Sequence, residues 1–221
     1  MSQRNLKIAV PKGSLFADTV KLLTRAGLDT TGLADPGRHL IISNPGVDFI
    51  IVRPTDAPVF AAYGGADCGI CGKDTLLEAE LDVLELVDLK YGYCRFIVAE
   101  PNSRAGLAEA AYERLGVMRV ATKYPRIARA YYEGIGVQAD IVKMHGNIEL
   151  APIVGMAERI VDITATGRTL RENDLRIVDE VLGSTARFIA NPAALRTDAR
   201  VVQLARKLEE LTEDAEVTMS Q

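Results

Sequence analysis

Short apolar runs with strand-like alternation change places with helix-like spacing along the whole chain, which predicts alternating β and α layers rather than a bundle or a sandwich. Leu6–Val10 reads as a first strand. Leu15, Val20, Leu22, Leu23 and Ala26 then line one face of a helix that Gly27 stops. Leu40–Ser43 and Val47–Val52, joined by Asn44-Pro45-Gly46, predict a hairpin. Thr55 or Asp56 is placed to cap a short helix that ends at Gly64-Gly65, Ala66–Cys71 reads as a strand, and Asp74 is expected to cap the helix after it.

A second series begins at Tyr93–Ala99. Strands are expected at Val117–Ala121, Ala139–Lys143 and Arg159–Ile163, with helices at Tyr124–Gly134 and Glu149–Val154 between them. Asp179–Leu182 and Thr185–Ala190 are strand-like, and the latter is expected to return to the first series. Residues 198–211 carry Val201, Leu204, Ala205, Leu208 and Leu211 on one helical face, and Thr212–Gln221 reads as a polar, frayed tail. These patterns predict two small α/β lobes: residues 1–92 with 183–221, and residues 93–182. Ligands of such folds bind outside the carboxyl ends of strands or in clefts between lobes.

Composition narrows the function. The 221 residues are 48% hydrophobic and 25% charged, with net charge −4 and no basic run, which argues against a broad nucleic-acid-binding face. An anionic substrate would need local positive charge, and Lys12, Arg38, Arg53, Lys73, Lys123 and Arg168 are the residues to watch. No apolar stretch approaches the roughly 18 residues of a membrane span, and the opening Met1-Ser-Gln-Arg-Asn5 has no signal-like region, so a cytoplasmic protein without membrane contact is expected. Cys68-Gly-Ile-Cys71 has C-x-x-C spacing. A zinc site would want further ligands nearby, and a redox pair would want a helix at its first cysteine. Neither is in the sequence around it, so Cys68 and Cys71 read as buried structural residues.

The richest chemistry lies in Val161-Asp-Ile-Thr-Ala-Thr-Gly-Arg-Thr-Leu170. A strand delivers an acid, then a hydroxyl-rich turn, then a helix start. Asp162 can accept from two ribose hydroxyls, Thr164, Thr166 and Thr169 offer donors, and Gly167 lets backbone N–H groups close on a phosphate. An ordinary strand–turn–helix with a threonine cap would have the same pattern.

The surrounding positions resolve the choice. Glu149, Gly155, Ala157, Ile160, Asp162, Ile163, Thr166, Gly167, Thr169 and Leu170 together resemble the signature of the ATP phosphoribosyltransferase family at every spacing. Ala9–Leu15, Val52–Pro58, Ala66–Asp74, Val120–Pro125 and Ser184–Arg187 are similar to family segments in the same order. Ser14 stands where many relatives carry Arg, and Asn147 where many carry Ser.

The resemblance implies a two-lobed fold like type II periplasmic binding proteins, with the active site in the interlobe cleft. It implies that N1 of ATP attacks the anomeric carbon of 5-phosphoribosyl 1-pyrophosphate, releasing pyrophosphate in the first step of histidine biosynthesis. Mg²⁺ would be carried by the substrate's oxygens, with no ligands from protein side chains. The phosphoribosyl group would lie on Asp162, Thr164, Ala165, Thr166, Gly167, Arg168 and Thr169. Arg53, Lys12 and Arg38 would neutralise the departing pyrophosphate or the triphosphate of ATP, and Glu149, Lys73, Thr122 and Lys123 are further candidate substrate contacts. The chain ends soon after its last amphipathic helix, which implies a short-form catalytic subunit. Such subunits form a homodimer and a hetero-oligomer with a regulatory subunit resembling histidyl-tRNA synthetase. The residues alone leave two alternatives: a non-catalytic binding protein for a phosphorylated sugar or nucleoside, and a different phosphoribosyltransferase. The common type of the latter places two adjacent acids where this chain has Val161-Asp162.

Overall fold

The alternation at Leu6–Val10 becomes strand β1 (Leu6–Pro11) in the computed structural model, which describes residues 4–219, with side chains as far as Asp214. Contacts divide the chain into two units: residues through Gly92 together with those from Thr185, and Tyr93–Ser184.

In the first unit, α1 (Phe16–Arg25) follows β1, then the hairpin β2 (Ile41–Asn44) and β3 (Val47–Val52), α2 (Ala57–Ala62), β4 (Cys68–Gly72), α3 (Lys73–Ala79) and β5 (Leu84–Asp88). The second unit holds β6 (Cys94–Pro101), α4 (Leu107–Leu115), β7 (Met118–Thr122), α5 (Pro125–Gly134), β8 (Ala139–Lys143), α6 (Leu150–Ile153), β9 (Arg159–Thr164), α7 (Arg168–Glu172) and β10 (Leu175–Ser184). The chain then re-enters the first unit as β11 (Ala186–Ala190), α8 (Pro192–Thr197) and α9 (Ala199–Met219).

The first sheet runs β2-β3-β1-β4-β11-β5, with β1 parallel to β3 and β4, and β11 antiparallel to β4 and β5. Side chains alternate across it. Ile8 and Val10 pack with Leu22, Leu23, Val201, Leu204 and Leu208 from α1 and α9, whereas Ala9 faces Ala57 and Ala61 of α2. Both faces are thus covered, as a sheet with a parallel centre requires. Gly69 lets β4 lie close to β1, since a Cβ there would stand 2.9 Å from that of Ala9. Cys68 and Cys71 are free, buried thiols on β4, and burial pushes both thiols up, away from the thiolate.

The second sheet runs β10-β6-β9-β7-β8, with β7 parallel to β8 and β9, and β6 antiparallel to β9 and β10. Phe96, Val98, Val120 and Val161 pack beneath α5 with Tyr132, whereas Ile97, Ala121 and Ile160 face Ala151 of α6 and Leu170 of α7. A charged ladder crosses the sheet at the start of β9. Buried Glu100 accepts from Arg159 Nε (2.9 Å) and Arg176 Nε (3.0 Å), and Arg159 also pairs with Glu109. Burial opposes the charge on Glu100, but the two arginines outweigh it and hold the carboxyl below its ordinary value.

Several expectations need correction. β10 stays paired to β6 through Ser184↔Cys94, so the return begins at Thr185 rather than at residue 183. The residue before α3 is Gly72, with Asp74 inside the first turn; neither Thr55 nor Asp56 caps α2 through its side chain, because Pro54–Asp56 forms a 3-10 turn. The tail expected to fray from Thr212 continues α9 to Met219, with residues 220 and 221 outside the described residues. Thr212 is buried, and its hydroxyl donates back to the Glu209 carbonyl (2.8 Å), so the packed stripe runs past Leu211 by one residue. β5, α4 and α8 were not anticipated.

Candidate active site

The strand order of the first sheet gathers its cations. Pro11 lies opposite Val52, so Lys12 and Arg53 leave two adjacent parallel strands side by side, and Lys12 N–H donates to the Val52 carbonyl (2.8 Å). Arg53 is held extended by Pro54 behind it, and its carbonyl accepts from Asp56 N–H (2.9 Å) to close the 3-10 turn. On the other side of β3, Ile51 N–H donates to Leu40 O (2.8 Å), which carries the hairpin past β2 to the Pro36–His39 turn containing Arg38. Lys73 follows β4 at the same edge. Arg38, Arg53, Lys12 and Lys73 therefore succeed one another along the carboxyl edge of β3, β1 and β4.

Their surroundings differ. Arg38, Arg53 and Lys12 are exposed and have no ion-pair partner among the described residues. Lys73 is paired with Glu85 of β5. Glu85 in turn accepts from Arg187 Nε (2.8 Å), and Arg187 also pairs with Asp88, whose carboxylate accepts the Thr185 hydroxyl (2.7 Å). Glu85 and Arg187 were missed as functional neighbours of Lys73; β5 was not anticipated, and the pairing spans distant strands.

In the second unit, the carboxyl ends of β7, β8 and β9 share one edge. Asp162 lies two residues after Ile160 and so faces the same side, toward α6 and α7. It is 8% exposed, and its Oδ1 accepts the Ile163 N–H (2.8 Å). Burial pushes the carboxyl above the ordinary aspartate value; that N–H and the charge of Lys123 pull the other way, and Glu149 adds to the rise. Asp162, Lys123 and Glu149 are thus close enough to feel one another. Thr122 is fully buried, and its hydroxyl accepts the Tyr124 N–H (2.9 Å), which holds Lys123 at the apex of a tight turn before Pro125 opens α5. That bond orients Lys123, and the Thr122 hydroxyl keeps its own O–H as a donor. Glu149 precedes α6 without a side-chain capping bond.

The loop after β9 is built from its own hydroxyls. Thr164 Oγ1 accepts the Gly167 N–H (2.8 Å), leaving the Thr164 O–H free to donate outward. Gly167 has φ +69°, the left-handed conformation glycine adopts without strain, and starts α7. Ala165, Thr166, Arg168 and Thr169 are exposed, and the N–H groups of the first turn of α7 have no helical acceptors. Arg168 Nε donates to Glu172 (2.7 Å), so the charge of Arg168 is matched on its own helix. Arg171, which sequence reasoning passed over, donates from Nη1 to the Thr166 carbonyl (3.0 Å). Its place on the same helix four residues after Gly167 was the signal available. Among the described residues, no three or more His, Cys, Asp or Glu gather into a group that could hold a metal ion.

This geometry can be set beside known proteins. The HisG family model, described as ATP phosphoribosyltransferase, matches residues 53–210. An ATP phosphoribosyltransferase of Rubrobacter xylanophilus is 53% identical over 193 residues, 87% of this chain and 89% of its own. That of Carboxydothermus hydrogenoformans is 44% identical over 211 residues, 95% of each chain. Among solved structures, a chain of the ATP phosphoribosyl transferase (HisG:HisZ) complex from Thermotoga maritima matches with TM-score 0.77 and 34% identity, covering 95% of this chain and 99% of that one. The structure of Tv2483 bound to L-arginine, 15% identical with TM-score 0.56, shares the fold.

Proposed function

The chain belongs to the ATP phosphoribosyltransferase family, and from that premise we propose how its residues divide the work of the reaction. It condenses ATP with 5-phosphoribosyl 1-pyrophosphate to give N1-(5-phosphoribosyl)-ATP and pyrophosphate, the first step of histidine biosynthesis. The bond from N1 of the adenine to the anomeric carbon forms as the bond from that carbon to the pyrophosphate oxygen breaks, with inversion.

The observation that carries the assignment of roles is the loop Thr164–Thr169, rooted on buried Asp162. In this reading the 5′-phosphate takes the hydroxyls of Thr164, Thr166 and Thr169 and the N–H groups of Thr169 and Leu170 in the first turn of α7, the Arg168 N–H leaning on the Thr166 hydroxyl (3.4 Å). Asp162 accepts the ribose hydroxyls, with Glu149 and Lys123 beside it. The nucleophile is already a neutral ring nitrogen, so no strong general base is needed. Charge grows on the leaving pyrophosphate, and Arg53, Lys12 and Arg38 are the unpaired cations suited to meet it. The magnesium the family uses arrives, in this reading, as part of the substrate, held by pyrophosphate and ribose oxygens, a mode of binding common for this ion. Asp162, with one oxygen already accepting a backbone N–H, is better fitted to ribose hydroxyls than to an ion.

The Thermotoga maritima relative is solved as a HisG:HisZ complex, and we propose that this chain works in an assembly of the same kind, with feedback by histidine sensed on the partner. No described helix is long and apolar enough to cross a membrane. With substrates drawn from the soluble nucleotide pool, the cytoplasm is the proposed compartment. One assay tests the reaction and the alternatives together: pyrophosphate release from 5-phosphoribosyl 1-pyrophosphate with ATP, with other bases, and with no acceptor. Release only with ATP is expected. Release with a different base, or binding of both substrates without turnover in the assembled complex, would overturn the assignment.

A further inference from the structure

A trans peptide fixes its C=O and N–H on opposite sides of one plane, so holding either group orients both. The peptide between Thr166 and Gly167 is held at both ends. Its carbonyl accepts from Arg171 Nη1 (3.0 Å), and its N–H donates to Thr164 Oγ1 (2.8 Å). The Arg171 backbone N–H adds a further tie to the Gly167 carbonyl (3.2 Å). The guanidinium also closes the space beside Gly167: a Cβ on that glycine would lie 3.2 Å from Arg171 Nη1. Of the two arginines on α7, Arg168 has its charge matched by Glu172, whereas Arg171 has no carboxylate partner among the described residues.

We propose that Arg171 is the positioning residue of the phosphate loop: it locks the Thr166–Gly167 peptide so that the Thr164 hydroxyl and the first-turn N–H groups stay aimed at the 5′-phosphate. The proposal rests on the assignment of Thr164–Thr169 to that phosphate. Arg171 acts through the loop, from the side of Thr166 that carries the carbonyl, and does not itself touch the substrate. Without it, the peptide plane is held at its N–H end alone, Gly167 offers little resistance because it tolerates both halves of φ space, and the donors converge less firmly before the ligand arrives.

The test measures ribose 5-phosphate binding to the full chain by calorimetry, alongside ATP binding and steady-state kinetics. Arg171→Met should weaken ribose 5-phosphate binding and raise KM for 5-phosphoribosyl 1-pyrophosphate by about tenfold each, the scale of one hydrogen bond to a charged group. ATP affinity and the circular-dichroism spectrum should stay as they are. Arg171→Lys keeps one donor and the charge and should recover most of the loss, which a generally misfolded loop would not. Thr169→Val serves as the reference. If Thr169→Val loses ribose 5-phosphate binding and Arg171→Met does not, the lock is refuted and the phosphate loop stands. If neither variant loses it, the loop assignment itself falls. If Arg171→Met does not fold, Arg171→Ala takes its place: weakened ribose 5-phosphate binding with ATP binding intact supports the lock, and wild-type ribose 5-phosphate affinity, or its loss together with ATP binding, refutes it.

Discussion

In the proposed division of work, the two units meet phosphate in opposite ways. The carboxyl edge of the first sheet presents charge with little scaffolding: Arg38, Arg53 and Lys12 are long, exposed side chains with no ion-pair partner among the described residues. The corresponding edge of the second sheet presents scaffolding with little charge. Thr164 holds Gly167, Arg171 holds Thr166, and the acid Asp162 is buried at the end of the strand before them. A phosphate that remains on the sugar throughout the reaction is served by fixed donors, because rigidity lowers the cost of binding it. A pyrophosphate that gains charge as it leaves is served by cations whose interaction strengthens in the transition state. The difference predicts that damage to the first edge appears in the chemical step and damage to the second in the use of 5-phosphoribosyl 1-pyrophosphate.

The largest expected effect is on the first edge. Arg53→Ala should slow the chemical step by about 10²–10³, the scale of losing one electrostatic stabiliser. Arg53→Lys should restore it only in part, because an ammonium cannot bind two oxygens in the forked manner of a guanidinium. Single-turnover rates separate this from slow product release. An unchanged chemical rate in Arg53→Ala, with a raised KM, would erase the contrast between the edges.

On the second edge, Asp162→Asn should raise KM for 5-phosphoribosyl 1-pyrophosphate by roughly 5- to 150-fold, since a lost contact of this kind is worth about 1–3 kcal/mol. The same change makes a stability prediction of opposite sign. Burial raises the Asp162 carboxyl above its unfolded value, so between those two values the folded chain binds more protons than the unfolded one. Stability therefore falls as pH rises through that window, and at neutral pH the ionised carboxylate is a net cost. Asp162→Asn should accordingly leave the thermal midpoint at pH 7 unchanged or raised, and the gain should vanish below the ordinary aspartate range. The Asn Oδ1 can still accept the Ile163 N–H, so the strand end keeps its bond. A lowered midpoint at pH 7 would show that Asp162 supports the fold rather than the ligand.

How far each edge was legible in the sequence follows from the range of its interactions. The loop at 162–170 could be read because its determinants are local: an apolar strand, an acid facing the Ile160 side, then hydroxyls and a glycine. Lys12 and Arg53 could be read as strand ends, and their adjacency required only the order of β3 and β1. β5 could not, because Glu85 and Asp88 interrupt its apolar run, and those acids are the ones that Lys73 and Arg187 bind across the sheet. Asp74 and Asp56 look like caps in sequence, but the positions that begin the helices are set by the ends of β4 and of the 3-10 turn. Sequence thus exposed what a segment does by itself and hid what distant segments do to one another.

The smallest effect should fall on Lys73, and its smallness is informative. Lys73 stands in the same row as Lys12 and Arg53, so a view based on position alone would give it equal weight. Its ammonium, however, is paired with Glu85, and Arg187 holds Glu85 in place from the opposite side (2.8 Å). A phosphate must compete with that carboxylate for the ammonium, and at a part-exposed site a pair of this sort is worth only about 0–1 kcal/mol to either arrangement. Lys73→Met should therefore change kcat and both KM values by less than about threefold, on the scale of that energy. Glu85→Gln should do the reverse of damage: with its competitor neutralised, Lys73 becomes free for substrate, and KM for one anionic substrate should fall modestly. The double variant should then behave like Lys73→Met alone. A loss of 100-fold or more in Lys73→Met would place Lys73 with Arg53 among the cations that meet the leaving group, and the edge would have to be read as four equivalent charges rather than three free and one held.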